Sequence, residues 1–173
     1  MRVTAAHPEG LPTPPRHVAA PSSPAVSARM ARQGRRDTAP ELALRRELHR
    51  LGLRYRVDRA LPGMPRRRAD VVFTAARLAV FVDGCFWHAC PDHATQPASN
   101  AAWWREKLAT NVARDRDTDA RLTAQGWEVL RFWEHADMRA AAGLVEDAWR
   151  RRRAGLSSSG SPSTRPAPGE PAT

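Results

Sequence analysis

Apolar positions first recur at Leu44, Leu48 and Leu51, a helical spacing that lines one face with arginines opposite. Thr38-Ala39-Pro40-Glu41 precedes that stripe and reads as a capping box. In it the Thr38 hydroxyl accepts from the Glu41 amide, the Glu41 carboxylate reaches back to the cap, and Pro40 suits a first turn. Gly52 supplies the stop. The period then changes. Leu53 to Val57 reads as a strand, Leu61-Pro62-Gly63-Met64-Pro65 as a turn, Ala69 to Thr74 as a second strand and Arg77 to Val82 as a third. The last two are rich enough in Val, Leu and Phe to predict a central sheet buried on both faces. Asn100 is expected to cap a helix through Trp103, Trp104, Leu108 and Val112 towards Leu122, ended by Gly126. Trp127 to Trp133 makes a fourth strand and Ala140 to Arg153 a final helix.

The chain has 173 residues, enough for one domain with a core and tails. Met1 to about residue 26 is rich in Pro, Ala, Ser and Thr without apolar periodicity and reads as disordered, as does the Ser/Pro/Gly stretch from 154 to 173. No internal repeat is apparent. The formal charge is +10, carried by arginine rather than lysine, and arginine pairs with phosphate through a bidentate fork. That makes nucleic acid the leading partner class, although a GC-rich genome also inflates Arg, Ala and Pro. The basic segment from Ser27 to Arg36 suits a phosphate backbone, or is simply a solvated linker. No run of eighteen apolar residues and no secretory signal is present, so a cytoplasmic protein that makes no membrane contact is expected.

Candidate chemistry concentrates after the third strand. Cys85-x4-Cys90-x2-His93 places three metal-ligand types in nine residues, and His135, after a strand expected to neighbour the one before the loop, is the candidate fourth. Two reduced thiols and two surface imidazoles are the plainer alternative. His88 lies between the cysteines but off their pattern, so it is either a general base near pH 7 or a polar surface group. Asp70 opens an apolar strand and reads as a cap or as a magnesium ligand, with Arg66 to Arg68 available to neutralise it. Phe86 and Trp87 are consecutive, so an extended loop would send them to opposite sides and expose at least one for base stacking. Trp103, Lys107, Asn111 and Asp115 step by four along one helix face, with Trp104 on the adjacent one; Trp103 and Trp104 could extend the stacking surface, although a tryptophan at helical spacing is more often core.

From about Ser27 to Met138 the chain resembles the very-short-patch repair (Vsr) endonucleases. The resemblance rests on Asp37-Thr38-Ala39-Pro40-Glu41, Leu61-Pro62-Gly63, Arg68-Ala69-Asp70-Val71-Val72-Phe73 and Val82-Asp83-Gly84-Cys85-Phe86-Trp87-His88. It continues through Trp104-Arg105-Glu106-Lys107, Asn111-Val112-Ala113-Arg114-Asp115, and Gly126-Trp127 to Trp133-Glu134-His135. It implies a restriction-endonuclease-like α/β fold, a central mixed sheet flanked by helices with a structural zinc site, over residues 27–153. It also implies a magnesium-dependent nick beside the thymine of a T·G mismatch left by deamination of 5-methylcytosine.

Residue by residue, the resemblance implies that Asp70 and the main-chain carbonyl of Val82 hold magnesium, and that His88 activates water with Asp115 orienting its ring. Glu41 and Asn111 match positions around the active centre. Phe86, Trp87 and Trp104 match aromatics that wedge into the duplex, and Met30 lies in a basic arm, residues 27–37, that grips the other groove. Lys107 joins this DNA-contacting set. Cys85, Cys90, His93 and His135 line up with structural zinc ligands. Many nucleases of this fold carry Pro before the first acid and Glu-x-Lys after it. Here Ala69 precedes Asp70 and no such lysine follows, which fits a histidine route.

The expected function is therefore a strand-specific mismatch endonuclease, acting as a monomer on T·G-containing duplex DNA, with mismatch-repair proteins as partners. Its rivals are a zinc-stabilised module that binds mismatched or bent DNA without cutting, and a restriction enzyme that cuts both strands.

Overall fold

The computed structural model describes residues 36–93 and 100–158. Met30 and residues 27–35 of the basic arm fall outside them, as do the stretches 1–26 and 159–173. The elements in chain order are helix α1 (Ala39–Arg50), strands β1 (Arg56–Leu61), β2 (Met64–Phe73) and β3 (Leu78–Asp83), helix α2 (Ala101–Ala124), strand β4 (Glu128–Trp133) and helix α3 (Met138–Ser158). The strands lie in the order β1-β2-β3-β4, antiparallel across the first two pairings and parallel between β3 and β4. The parallel pair requires a crossover, and α2 supplies it. Phe81 lies opposite Arg131 and Asp83 opposite Trp133, so the segments leaving β3 and β4 emerge side by side.

Burial on both faces of the sheet holds for β3, where Leu78, Ala79, Val80 and Phe81 are all buried. One face packs on α1 and α3 through Leu44, Leu48, Val71, Phe73, Val80 and Val145. Ala141, Ala142 and Ala148 have little bulk, which lets α3 approach closely. Leu61, Met64, Val72, Ala79 and Phe81 meet Leu122 of α2 on the other face.

Several boundaries differ from the sequence expectation. The first strand begins at Arg56 and runs to Leu61, because the hairpin closes tightly: Leu61 pairs with Met64, and Gly63 adopts a φ of +68° that favours glycine. Residues assigned to the turn, Leu61, Met64 and Pro65, thus belong to strands. At α1 the capping box is reversed. The Thr38 hydroxyl donates to the Glu41 carboxylate at 2.9 Å, and the other Glu41 oxygen takes the Asp37 amide at 2.9 Å. Asn100 precedes α2 in left-handed backbone (φ +57°) without a side-chain cap bond. Helix α3 continues to Ser158 rather than stopping at Arg153; Arg152 near its end donates to the carbonyls of Ala76 and Gly126 and ties the helix to the sheet.

Candidate active site and metal centre

Asp70 sits on β2 where that strand leaves its ladder with β3, whose last register pair is Val71 with Val80. Beyond this point the Val82 amide donates to the Asp70 carboxylate at 2.8 Å. Burial pushes the Asp70 carboxyl up to about 6; the Val82 bond opposes the shift, while the Glu41 and Asp83 charges reinforce it. Such a group is ill at ease when ionised without a cation. The expected neutralisation by Arg66 to Arg68 does not occur. Arg67 turns to Asp117 and Thr118 of α2, and Arg68 to Asp58. Arg45 is the cation that counts at Asp70, and it is itself buried with Glu41 at 3.1 Å.

The chain leaving β3 coils tightly. The His88 amide donates to the Gly84 carbonyl at 3.1 Å and the Cys90 amide to the Cys85 carbonyl at 3.0 Å, with Ala89 held at a φ of +53°. The coil brings Cys85 and Cys90 together and leaves His88 directed at α2. His88 Nδ1 is 2.6 Å from Asp115 Oδ2 and 3.6 Å from Asp83 Oδ1. Burial alone would lower the His88 pKa, but the Asp115 hydrogen bond and the Asp83 charge outweigh it and the net shift is upward. Burial would likewise raise Asp115, and the bond from His88 reverses that, holding the carboxyl below its ordinary value. An ionised Asp115 accepts the Nδ1 proton, so in the neutral ring Nε2 is the nitrogen with a free lone pair.

Asn111, one turn before Asp115 on α2, is buried and donates to the Trp87 carbonyl at 3.1 Å. It acts on the loop's backbone. Glu41 lies in a separate network with Asp37, Thr38 and Arg45 and reaches Asp70 through its charge. Phe86 and Trp87 do not diverge as an extended loop would require. The coiled backbone packs their rings edge to face at 5.1 Å, and both meet Trp104 of α2 at 5.1 and 6.0 Å. All three are half-buried, with Trp103 edge-on to Trp104 at 4.7 Å. Lys107 is exposed on the same helix.

Cys85, Cys90, His93 and His135 offer ligand atoms that all lie within 4.8 Å of one another. Cys85 Sγ is 3.1 Å from His135 Nδ1, and Cys90 Sγ is 3.8 Å from His93 Nδ1. A tetrahedral ion with bonds of about 2.0–2.3 Å sets its ligands roughly 3.3–3.8 Å apart, so the donor set fits a four-coordinate cation. Burial and the neighbouring Cys90 push the Cys85 thiol up to about 11, and a cation would be what draws it into the thiolate form. The parallel pairing of β3 and β4 brings His135 to the loop, as its place after the fourth strand implied.

Three residues of this region were given no role from the sequence: Asp83, Asp119 and Arg131. Arg131 donates to both oxygens of Asp83 at 2.9 and 3.0 Å and to Asp119 at 3.0–3.1 Å. The signal that could have found it is an arginine inside the otherwise apolar run Val129-Leu130-Arg131-Phe132-Trp133, since a charge on a half-buried strand needs a partner.

A mixed four-stranded sheet flanked by helices fits a restriction-endonuclease-like α/β fold. Residues 22–93 match the family model described as DNA mismatch endonuclease Vsr. The chain is 47% identical over 131 residues to the type II nicking enzyme V.NaeI of Lentzea aerocolonigenes, covering 74% of this chain and 78% of that protein. It is 41% identical over 115 residues to the DNA mismatch endonuclease Vsr of Escherichia coli (strain K12), covering 65% of this chain and 70% of that protein. With the type II nicking enzyme V.XorIIP of Xanthomonas oryzae pv. oryzae (strain KACC10331 / KXO85) it shares 43% over 101 residues, 57% of this chain and 71% of that one. The chain belongs to the Vsr family of DNA mismatch endonucleases. Among the described residues no helix is long and apolar enough to cross a membrane.

Proposed function

We propose that this endonuclease nicks one strand of duplex DNA 5′ to the thymine of a T·G mismatch left by deamination of 5-methylcytosine, and so initiates very short patch repair. Magnesium is the catalytic ion and zinc the structural one. The observation that carries the reading is the convergence at the end of β3: Asp70 on the Val82 main chain, and the His88–Asp115 dyad one coil of chain further on.

Asp70 and the Val82 carbonyl hold magnesium, which when bound supplies Lewis-acid polarisation of the scissile phosphate. His88 Nε2 takes a proton from the attacking water, and Asp115 keeps Nδ1 protonated and stabilises the imidazolium that results. Asn111 fixes the Trp87 carbonyl and with it the path of the loop. Glu41 anchors Arg45, whose charge acts on Asp70 through space. Phe86, Trp87 and Trp104 form the wedge, which gains selectivity because a mispaired step costs less to unstack than a matched one. Lys107 contacts phosphate, and Met30 with the arm at 27–37 grips the opposite groove. Cys85, Cys90, His93 and His135 hold zinc, which keeps the loop coiled. A nick in one strand needs one active site, so the protein acts as a monomer, with mismatch-repair proteins as partners.

An end-labelled duplex carrying one T·G pair in a deaminated methylation site, beside its T·A control, tests the reading. A magnesium-dependent nick 5′ to the mispaired T, absent from the control and from chelated reactions, is expected. Cleavage of both strands in the control would make the protein a restriction enzyme, and mismatch binding without any nick would overturn the assignment.

A further inference from the structure

Arg131 occupies the middle of β4 opposite Phe81 of β3, and its guanidinium joins the elements that carry the dyad. Nη1 grips both oxygens of Asp83, at the end of β3, while Nε and Nη2 grip Asp119 on α2. Nη2 also stands 3.8 Å from Asp115 Oδ1, one turn earlier on α2. The guanidinium lies over the Phe81 ring, 4.2 Å from its centroid, which fixes its position from one face. Asp83 and Asp115 thus approach the same imidazole nitrogen from two elements, at 3.6 and 2.6 Å. Arg131 is the cation between these acids, and without it like charges in a half-buried site would drive α2 away from the end of β3. Lysine could neutralise one acid but lacks the fork that spans them.

We propose that Arg131, acting with Asp83 and Asp119, is a positioning residue that holds α2 against β3 so that Asp115, and not Asp83, accepts the hydrogen bond from Nδ1–H of His88. The inference rests on the proposed roles of His88 and Asp115.

Single-turnover nicking, binding of T·G duplex and the NMR signal of the His88 Nδ1 proton, all on the full zinc-loaded chain, test it. Arg131→Met should lower the nicking rate roughly 100-fold, the effect of a misplaced catalytic group, while duplex affinity stays within about threefold. Arg131→Lys should recover less than about tenfold of that loss, because charge returns without the fork. Asp119, whose side chain is 35% exposed, can lose its charge without stranding a buried group, so Asp119→Asn should fold even if Arg131→Met does not. It should slow nicking about tenfold and weaken the His88 Nδ1 signal. An unchanged rate and an intact Nδ1 signal in Asp119→Asn would overturn the clamp. Failure of the underlying reading is separable: His88→Ala that nicks like the wild type removes the base, whereas the Nδ1 signal in the Asp119 and Arg131 variants still reports whether the clamp holds the ring.

Discussion

The Asp70 carboxylate on β2 accepts the main-chain amide of Val82 on β3 at 2.8 Å, just past the end of the ladder joining the two strands. A side chain there takes the place of a backbone partner. The arrangement keeps the Val82 main chain beside the acid and buries a charge that has no ion pair among the described residues.

Asp70→Asn should therefore abolish nicking yet stabilise the cation-free protein at pH 7. Burial raises this carboxyl from 3.8 to about 6, so between those values the folded state holds a proton that the unfolded state has lost. Stability falls as pH rises across that window, and the full penalty, up to about 3 kcal/mol, stands at pH 7. The amide keeps the Val82 bond without the charge. Thermal melts should show a gain of several degrees at about 2–4 °C per kcal/mol, shrinking as pH falls from 6 towards 4; a lower melting temperature at pH 7 would contradict the assignment.

Nicking should rise with pH through a limb above 6.5, because His88 must be neutral to accept a proton and its pKa is shifted upward. Asp115→Asn removes the charged hydrogen-bond acceptor that, with the Asp83 charge, outweighs burial, so the limb should move to lower pH while the plateau rate drops about 100-fold. The His88–Asp115 pair also contributes stability that is complete below the unfolded histidine value and is lost as pH rises through the higher folded one. Rate profiles and melts over the same pH range check both signs.

Cys85→Ser or Cys90→Ser should lose stoichiometric zinc, measured by elemental analysis, and cost at least about 100-fold in metal affinity. Because the coil between them carries Phe86, Trp87 and His88, these variants should lose mismatch binding as well as nicking. Asp70→Asn, by contrast, should retain binding. A cysteine variant that binds T·G duplex normally would separate the metal centre from the wedge.

Asn111→Ala should act on recognition through the loop. It removes one buried hydrogen bond to the Trp87 carbonyl, worth roughly 1 kcal/mol, so affinity for mismatched duplex should fall about fivefold. Trp104→Ala should do more, since it removes ring contacts with Phe86, Trp87 and Trp103, and its loss should narrow the T·G against T·A preference. Paired binding titrations on the two duplexes measure both effects.

Much of the fold was legible in the chain because it is local. The leucine stripe of α1, the apolar runs of β2 and β3 and the long helix before Gly126 follow from periodicity, and Cys85, Cys90 and His93 sit within one coil of backbone. His135 could be added because it follows a strand expected beside β3. What local pattern cannot choose is the partner of each charge. In an arginine-rich chain every carboxylate has several cations within reach of some fold. Arg67 beside Asp70 in sequence goes to Asp117, and Arg131 reaches Asp83 across 48 residues. Phe86 and Trp87 likewise share one cluster because hydrogen bonds coil their loop, where residue type alone left it extended. Periodicity reports which face is buried, and so the sequence by itself determined the elements and most of the candidate site residues. Pairing among charges and rings depends on which elements the packed sheet and crossover helix bring within a few ångströms, and only the tertiary structure decided that.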